Sequence, residues 1–237
     1  MSHAMSNAAD LLFAPRSTQL RRTMVDCQLR TFDVTDADVL SAVLDTPREP
    51  FMSEQVDSLV YSDAALLARG AHTSRRLLVP MVVARAFQEA RLTKSDRALD
   101  VGGAGGYSAA ILARLVGSVI ALDDDSGFVE TAQRGFSQLG LSNARALKGE
   151  LSAGLPGEGP FDVILVNGAI EVRPDALLAQ LADGGRLLAV ESAQGAGVGS
   201  GQMMLWERIG DVFGSRRLFP AAAGPLPDFA RKSMFAF

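Results

Sequence analysis

The chain has 237 residues, 48% hydrophobic and 21% charged, which is enough to bury the core of one full-sized domain and too little for two large ones. Its net charge of −4 argues against a general nucleic-acid binder, because little of its surface would neutralise phosphates. The basic pair Arg75-Arg76 is expected to lie in solvent. No stretch approaches the ~20 apolar residues of a membrane span. The opening residues lack the basic start and apolar run of a signal peptide, so we expect a cytoplasmic protein.

Cysteine and histidine are too scarce for several kinds of site. Cys27 is the only cysteine, which rules out a disulfide within the chain and fits a reducing compartment. The only histidines are His3 and His72, so neither a metal site nor a thiol nucleophile with a histidine partner is predicted. Cys27 is therefore interpreted as a structural residue.

The first part of the chain predicts helices. Residues 1–22 show no strong apolar periodicity and are interpreted as a flexible N-terminal arm. Residues 23–95 are predicted to form a mostly helical N-terminal subdomain, because apolar side chains recur on one face between residues 39 and 44. A second apolar segment covers residues 77–87, and Pro80 suits the first position of a helix there.

From residue 96 onward, short apolar runs alternate with helical stretches. The runs begin roughly 20–25 residues apart, which is typical of βα units whose strands are buried on both faces. Such connections predict a Rossmann-like α/β domain over residues 96–237, with a mostly parallel sheet. Two later runs without a helix between them predict an antiparallel hairpin at the sheet edge. The predicted strands are 98–101, 119–122, 144–147, 163–166 and 187–190, and the predicted hairpin is 203–209 with 216–219.

The sharpest local feature is a loop of small residues, 102–106, between the first of these strands and a helix. At that position small residues let the backbone approach a ligand, and the helix N-terminus offers unpaired N–H groups to a nucleotide. The dinucleotide-binding pattern is Gly-x-Gly-x-x-Gly. If it starts at Gly103, its second glycine is Gly105, but its third position is occupied by Ser108. The S-adenosylmethionine pattern is an acidic residue followed by Gly-x-Gly-x-Gly. Asp100, Gly102 and Gly106 match three of its four positions. The fourth, the middle glycine, is replaced by Ala104.

The second strand ends at Asp123, 17 residues after Gly106. An acidic side chain there accepts hydrogen bonds from both ribose hydroxyls of NAD or S-adenosylmethionine, so Asp123 indicates a nucleoside without choosing between them. Asp124 and Asp125 are expected to be solvated, with either available for the same role. A plain turn without ligand is the competing interpretation, but five small residues in a row exceed what a turn needs.

Several separate motifs resemble the protein-L-isoaspartate O-methyltransferase family, in the right order and over most of residues 24–190. One is Thr-Pro-Arg-Glu-Pro-Phe at residues 46–51, similar to the Val-Pro-Arg-Glu-x-Phe element of that family. Another is the glycine loop itself with the tyrosine that follows it. The matching segments are 24–29, 46–51, 61–63, 100–110, 160–164 and 180–187.

The resemblance implies S-adenosylmethionine as cofactor and transfer of its methyl group to the carboxylate of isoaspartyl residues in proteins, for repair. Because the sulfonium methyl is already activated and a carboxylate needs no general base, catalysis rests on alignment, and no catalytic side chain is assigned. The implied cofactor-binding residues are Asp100, Gly102, Gly103, Ala104, Gly106, Tyr107, Asp123, Asp124, Glu150, Leu151 and Asn167.

One departure from the family concerns its Thr-Ile-Ser-Gln-Pro segment, whose serine is the family's assigned active-site residue. Pro80 matches the proline, which places Leu78 at the serine and Val79 at the glutamine, and these three are the implied substrate-binding residues. Losing a polar contact to the bound carboxylate is expected to weaken binding or alignment by ~1–3 kcal/mol. Two alternatives therefore stay open: a paralogue with a changed substrate, and a non-catalytic binding or scaffold protein on the same fold. An NAD-dependent oxidoreductase is poorly supported by the glycine spacing and by the C-terminal hairpin.

Overall fold

The structure is a computed structural model that describes residues 15–52, 59–192 and 201–231. The strands are β1 (Leu67–Arg69), β2 (Ser74–Arg76), β3 (Arg97–Val101), β4 (Ser118–Asp123), β5 (Ala144–Lys148), β6 (Phe161–Ile170), β7 (Leu181–Ser192), β8 (Gly201–Ile209) and β9 (Val212–Ala221). A small antiparallel hairpin pairs the first two strands, and the other seven form one sheet in the order β5-β4-β3-β6-β7-β8-β9. Within that sheet the neighbours from β5 to β7 are parallel, whereas β8 is antiparallel to both β7 and β9. The predicted fold class is thereby confirmed, C-terminal hairpin included.

Helices flank this sheet and fill its connections. In the parts of the chain that the structure describes, no helix is both long enough and apolar enough to cross a membrane. The α-helices are α1 (Pro15–Met24), α2 (Ala37–Leu44), α3 (Pro80–Ala90), α4 (Tyr107–Leu115), α5 (Ser126–Gln138) and α6 (Asp175–Leu178).

The central strands are apolar on both faces because each face packs against a separate group of side chains. In β6, Val163 and Leu165 belong to the apolar cluster that includes α3 and α4 residues. Ile164 and Val166, which point the other way, belong to a second cluster with Leu178 of α6. This alternation explains why the strands read as continuous apolar runs in the sequence.

The N-terminal region corrects two sequence interpretations. Residues 15–22, assigned to a flexible arm, lie in α1, while residues 1–14 of that arm lie outside the described residues. The helix is held by Arg21, whose buried side chain donates to the Leu44 carbonyl at 2.6 Å and the Tyr61 hydroxyl at 2.9 Å. Polar contacts of this kind leave no apolar periodicity in the sequence. Cys27, interpreted as structural, is exposed and free.

The predicted helical subdomain also contains strands that the sequence analysis missed. Helices α2 and α3 form as predicted, and α3 begins at Pro80. Between them, β1 and β2 pair over only three residues each. Strands this short carry too few side chains for a period of two to be recognised. The boundary between this subdomain and the sheet domain at residue 95 stays a prediction.

The segment after β9 crosses the carboxyl end of β6. The Ala169 N–H donates a hydrogen bond to the Gly224 carbonyl at 2.7 Å, and the Ala169 carbonyl accepts a hydrogen bond from the Leu226 N–H at 3.1 Å. The side chains of Leu226 and Phe229 are buried. The C-terminal segment therefore closes one side of the sheet edge where ligands bind in open α/β folds.

Arg186 ties β7 to the end of α3 and the start of β3. Its Nε donates to the Ala90 carbonyl at 2.6 Å, and its Nη2 lies 2.7 Å from an Asp96 carboxylate oxygen. We expect Arg186→Met to lower the free energy of unfolding by about 2–3 kcal/mol, because the Ala90 carbonyl loses the Arg186 donor and the largely buried Asp96 carboxylate loses its cation. Arg145→Met breaks an exposed pair with Glu158 and should cost less than about 1 kcal/mol. Urea unfolding of both variants checks the difference, and equal losses would contradict it.

Candidate functional site

The carboxyl ends of β3, β4 and β6 meet at one edge of the sheet, where the loop 102–106 leads from β3 into α4. Gly102, Gly105 and Gly106 have φ angles of 71°, 112° and 91°, which glycine adopts without steric penalty. Ala104 also has a positive φ, 47°, so its position is one that glycine suits better. The loop therefore has the backbone shape that the sequence pattern predicts.

Asp100, the acidic residue of that pattern, is fully buried at the end of β3. Its carboxylate accepts hydrogen bonds from Ser108 Oγ and from Asn167 Nδ2, each at 2.8 Å. Burial raises the pKa of Asp100 to about 7, and these two hydrogen bonds oppose that rise. Asp100 and Asn167, both implied cofactor residues, thus come together and bind each other. Gly103 packs so closely on this carboxylate that any side chain there would overlap it.

Asp123, the predicted ribose acceptor, is buried at the end of β4 with both oxygens engaged. Oδ2 accepts from the Ala104 N–H at 2.9 Å, and Oδ1 accepts from Arg75 Nη1 at 2.8 Å and from the Asp124 N–H at 3.0 Å. The other guanidinium nitrogen of Arg75 binds Asp124 Oδ1 at 2.6 Å. Burial raises the pKa of Asp123, and the Arg75 guanidinium opposes this effect. The acid is at the predicted place but is already bound within the chain.

Arg75 was expected in solvent and is instead buried, with 9% of its side chain exposed. Besides the two carboxylates, its guanidinium lies 5.3 Å from the centre of the Phe128 ring. Two adjacent arginines ordinarily indicate surface, and nothing in the local sequence connects Arg75 with Asp123. The two residues are 48 positions apart and are joined only by the tertiary fold.

Asp125 also corrects the expectation that it is solvated, because it is 2% exposed. It caps α5 by accepting from the Gly127 N–H at 2.8 Å, and it accepts from the backbone N–H groups of Ala71, His72 and Thr73 at 2.6–2.8 Å. Burial opposes its charge, but these backbone donors outweigh burial and lower the pKa of Asp125. Asp125 thus anchors the turn of the β1–β2 hairpin to the start of α5. An aspartate before a serine-glycine helix start is a recognisable N-cap signal.

The β1–β2 hairpin packs against the glycine loop. Leu66, Ala68 and Leu77, in and beside the hairpin, form a buried apolar cluster with Ala104 and Phe128. The two cavities beside the loop have volumes of only about 10 Å³ each. Each is about the size of one water molecule.

The other implied cofactor residues are spread around the same edge. Tyr107 is buried at the start of α4, and its hydroxyl has no hydrogen-bond partner among the described residues. Glu150 is exposed after β5 and accepts from Ser152 Oγ at 2.6 Å. Leu151 is buried, 3.4 Å from where a Cβ on Gly102 would stand.

The implied substrate residues lie next to the loop as well. Leu78 is 5% exposed and shares a small cavity with Gly103, Ser108 and Asn167. Val79 is half-buried and precedes α3, and Pro80 is its first residue. The structure therefore puts a leucine side chain where the resemblance expects a hydroxyl. The substrate-binding roles of Leu78, Val79 and Pro80 stay a prediction.

Comparison with known proteins decides the family. The family model described as protein-L-isoaspartate(D-aspartate) O-methyltransferase matches residues 21–198. The chain belongs to this family. A protein-L-isoaspartate O-methyltransferase from Bordetella avium is 39% identical over 218 residues, covering 88% of this chain and 78% of that protein. Another from Methylorubrum extorquens is 34% identical and covers 90% of both chains.

Solved structures of the same family share the fold. A protein-L-isoaspartate O-methyltransferase superposes with a TM-score of 0.77 at 24% identity, covering 88% of this chain and 67% of the other. A Plasmodium falciparum protein assigned to the same activity, solved with S-adenosyl-L-homocysteine, superposes with a TM-score of 0.69 at 19% identity, covering 88% and 98%. At these identities the likeness establishes the fold.

The site has the polar groups that an adenosyl cofactor needs, but the described residues leave little room beside them. Asp123, Asp100 and the glycine loop stand at the expected sheet edge. Ligand pockets, however, hold ~300–1,000 Å³, against about 10 Å³ in each cavity here. The Arg75 guanidinium and the apolar cluster around Ala104 take up the space next to Asp123. In this conformation both Asp123 oxygens are engaged within the chain, by Arg75, Asp124 and Ala104.

Proposed function

We propose that this chain is an S-adenosylmethionine-dependent carboxyl methyltransferase that acts on isoaspartyl residues of damaged proteins. The observation that supports it most is the family match, which runs through the glycine loop and the strands on either side of it. The relatives from Bordetella avium and Methylorubrum extorquens, which carry this activity in their names, are matched over 78% and 90% of their length. The loop has glycine at three positive-φ positions, a backbone of the kind that lets a nucleoside approach closely.

The contribution of the protein to this reaction is positioning. A carboxylate acceptor is already an anion, so no side chain has to remove a proton from it, and alignment in a dry site supplies the acceleration. S-adenosylmethionine, when bound, supplies the activated methyl group. Asp123 would hold the ribose hydroxyls of the cofactor. The hydrogen bonds of Ser108 and Asn167 to Asp100 stabilise the glycine loop next to it. The proposed substrates are isoaspartyl proteins of the cytoplasm, with no nucleic acid or membrane partner.

A methyl-transfer assay tests the proposal. The protein is incubated with S-adenosylmethionine carrying a labelled methyl group and with one peptide in two forms, isoaspartyl and ordinary aspartyl. We expect label in the isoaspartyl peptide and none in the aspartyl form. If neither peptide is labelled under conditions where the folded protein binds the cofactor, the proposal that isoaspartyl residues are the substrate would be wrong.

Leu78 gives a prediction within this reaction. We expect Leu78→Ser to raise kcat/KM for the isoaspartyl peptide about tenfold, because a hydroxyl next to the loop adds a hydrogen bond worth ~1–3 kcal/mol to the carboxylate. Leu78→Ala is the matched control, since it removes the same buried side chain without adding a hydroxyl. Equal kcat/KM values for the serine and alanine variants would show that a hydroxyl at position 78 does not contact the substrate.

A second candidate is a non-catalytic member that uses the fold to bind a partner. The observation that favours it is the ion pair between Arg75 and Asp123, which occupies the cofactor acid, together with Leu78 at the hydroxyl position. Calorimetric titration with S-adenosylmethionine separates the two candidates. Micromolar binding supports the enzyme, and no binding by the folded chain supports the scaffold.

A further inference from the structure

The Arg75 side chain pairs with Asp123, the predicted ribose acceptor. It approaches Asp123 Oδ1 at 2.8 Å and Asp124 Oδ1 at 2.6 Å, so a single guanidinium spans the two acidic side chains at the end of β4. Its Nη1 lies 3.6 Å from where a Cβ on Gly102 would stand, which places the cation directly on the glycine loop. A planar guanidinium and a ribose both present two donors side by side, so each can engage acidic side chains of this kind.

The hairpin that carries Arg75 is fastened to the site at two further places. Three backbone N–H groups of its turn bind the Asp125 carboxylate. Its apolar side packs Ala68 and Leu77 on Ala104 and Phe128. The Arg75 contact is therefore one of three that hold the β1–β2 hairpin on the loop.

We propose that Arg75 is a built-in competitor of the cofactor, which holds the β1–β2 hairpin closed on the glycine loop and has to leave Asp123 before an adenosyl ligand binds. This rests on the proposed function, because the ligand is the cofactor of that reaction. Closed molecules bind no ligand, so the measured affinity equals the intrinsic affinity multiplied by the fraction of open molecules. Removing the guanidinium raises that fraction, and the apparent Kd falls.

Calorimetric titration with S-adenosylhomocysteine tests the competition on the full chain. We expect Arg75→Gln to bind at least tenfold more tightly than the wild type. Arg76→Gln is the matched control, because Arg76 is the neighbouring arginine, is exposed and donates a hydrogen bond to the Ala65 carbonyl, away from Asp123; it should bind as the wild type does. Equal Kd values for the wild type and Arg75→Gln would overturn the competition and leave the proposed function intact. No binding by any of the three folded proteins would overturn both.

Hydrogen exchange on the wild type gives a second readout that does not depend on the stability of Arg75→Gln. With S-adenosylhomocysteine at millimolar concentration, amide exchange is followed in residues 67–77 and in residues 102–107. We expect exchange to become faster in residues 67–77, because the hairpin is displaced, and slower in the loop. Unchanged or slower exchange in residues 67–77 while the loop becomes protected would overturn the proposal.

Discussion

Gly103→Ala is expected to lower the free energy of unfolding by about 3 kcal/mol. The new Cβ would overlap a carboxylate oxygen of Asp100 and stand 3.0 Å from Ser108 Oγ. The carboxylate has to move, which disturbs its buried hydrogen bonds to Ser108 and Asn167. Overpacking of a buried site costs about 1–3 kcal/mol, and a buried polar group that loses its partner costs a similar amount.

Gly214→Ala is the control for this effect. A Cβ on Gly214, in the exposed part of β9, meets no atom within 4 Å, so the substitution should change the free energy of unfolding by less than about 0.5 kcal/mol. Chemical denaturation followed by circular dichroism measures both variants. Similar stability of the two would contradict the close packing of Gly103 on Asp100.

Asp100→Asn is expected to remove a dependence of stability on pH. The folded protein keeps the Asp100 proton up to a pKa of about 7, whereas the unfolded chain releases it near the ordinary value of 3.8. Between these values the folded state binds more protons, so the contribution of this group is complete below pH 4 and is lost as the pH rises through 7. At about 1.4 kcal/mol for each pKa unit, the loss approaches on the order of 4 kcal/mol.

The measurement is the difference in free energy of unfolding between Asp100→Asn and the wild type from pH 4 to pH 8. The stability of the asparagine variant relative to the wild type should rise from pH 4 to about pH 7 and then level off, because an amide has no proton to release and other groups cancel in the difference. A difference that stays constant would show that Asp100 titrates alike in the folded and unfolded chains.

Much of the fold could be predicted because the relevant signals are local. Each parallel strand is a continuous apolar run, since both of its faces are covered, and this pattern is visible within a few residues. The glycine loop is equally local: its positive-φ positions favour glycine, and three of them within residues 102–106 carry it, which leaves a recognisable spacing. The acids Asp100 and Asp123 follow from their places at strand ends.

The state of the site could not be predicted because it depends on contacts between distant segments. Whether Asp123 is free or bound is decided by Arg75, which reaches it from a hairpin 48 residues earlier. Helix α1 is likewise fixed by the contacts of Arg21 with residues 23 and 40 positions away. In both cases a charged side chain is buried, and sequence patterns treat charge as a sign of solvent.

A crystal structure of the chain with S-adenosylhomocysteine tests the central claim most directly. We predict the ribose between the loop 102–106 and Asp123, with its hydroxyls about 2.6–3.2 Å from the carboxylate oxygens, and the Arg75 guanidinium withdrawn from Asp123. A structure at saturating ligand in which Arg75 still binds Asp123 and no ligand lies on the loop would contradict the account.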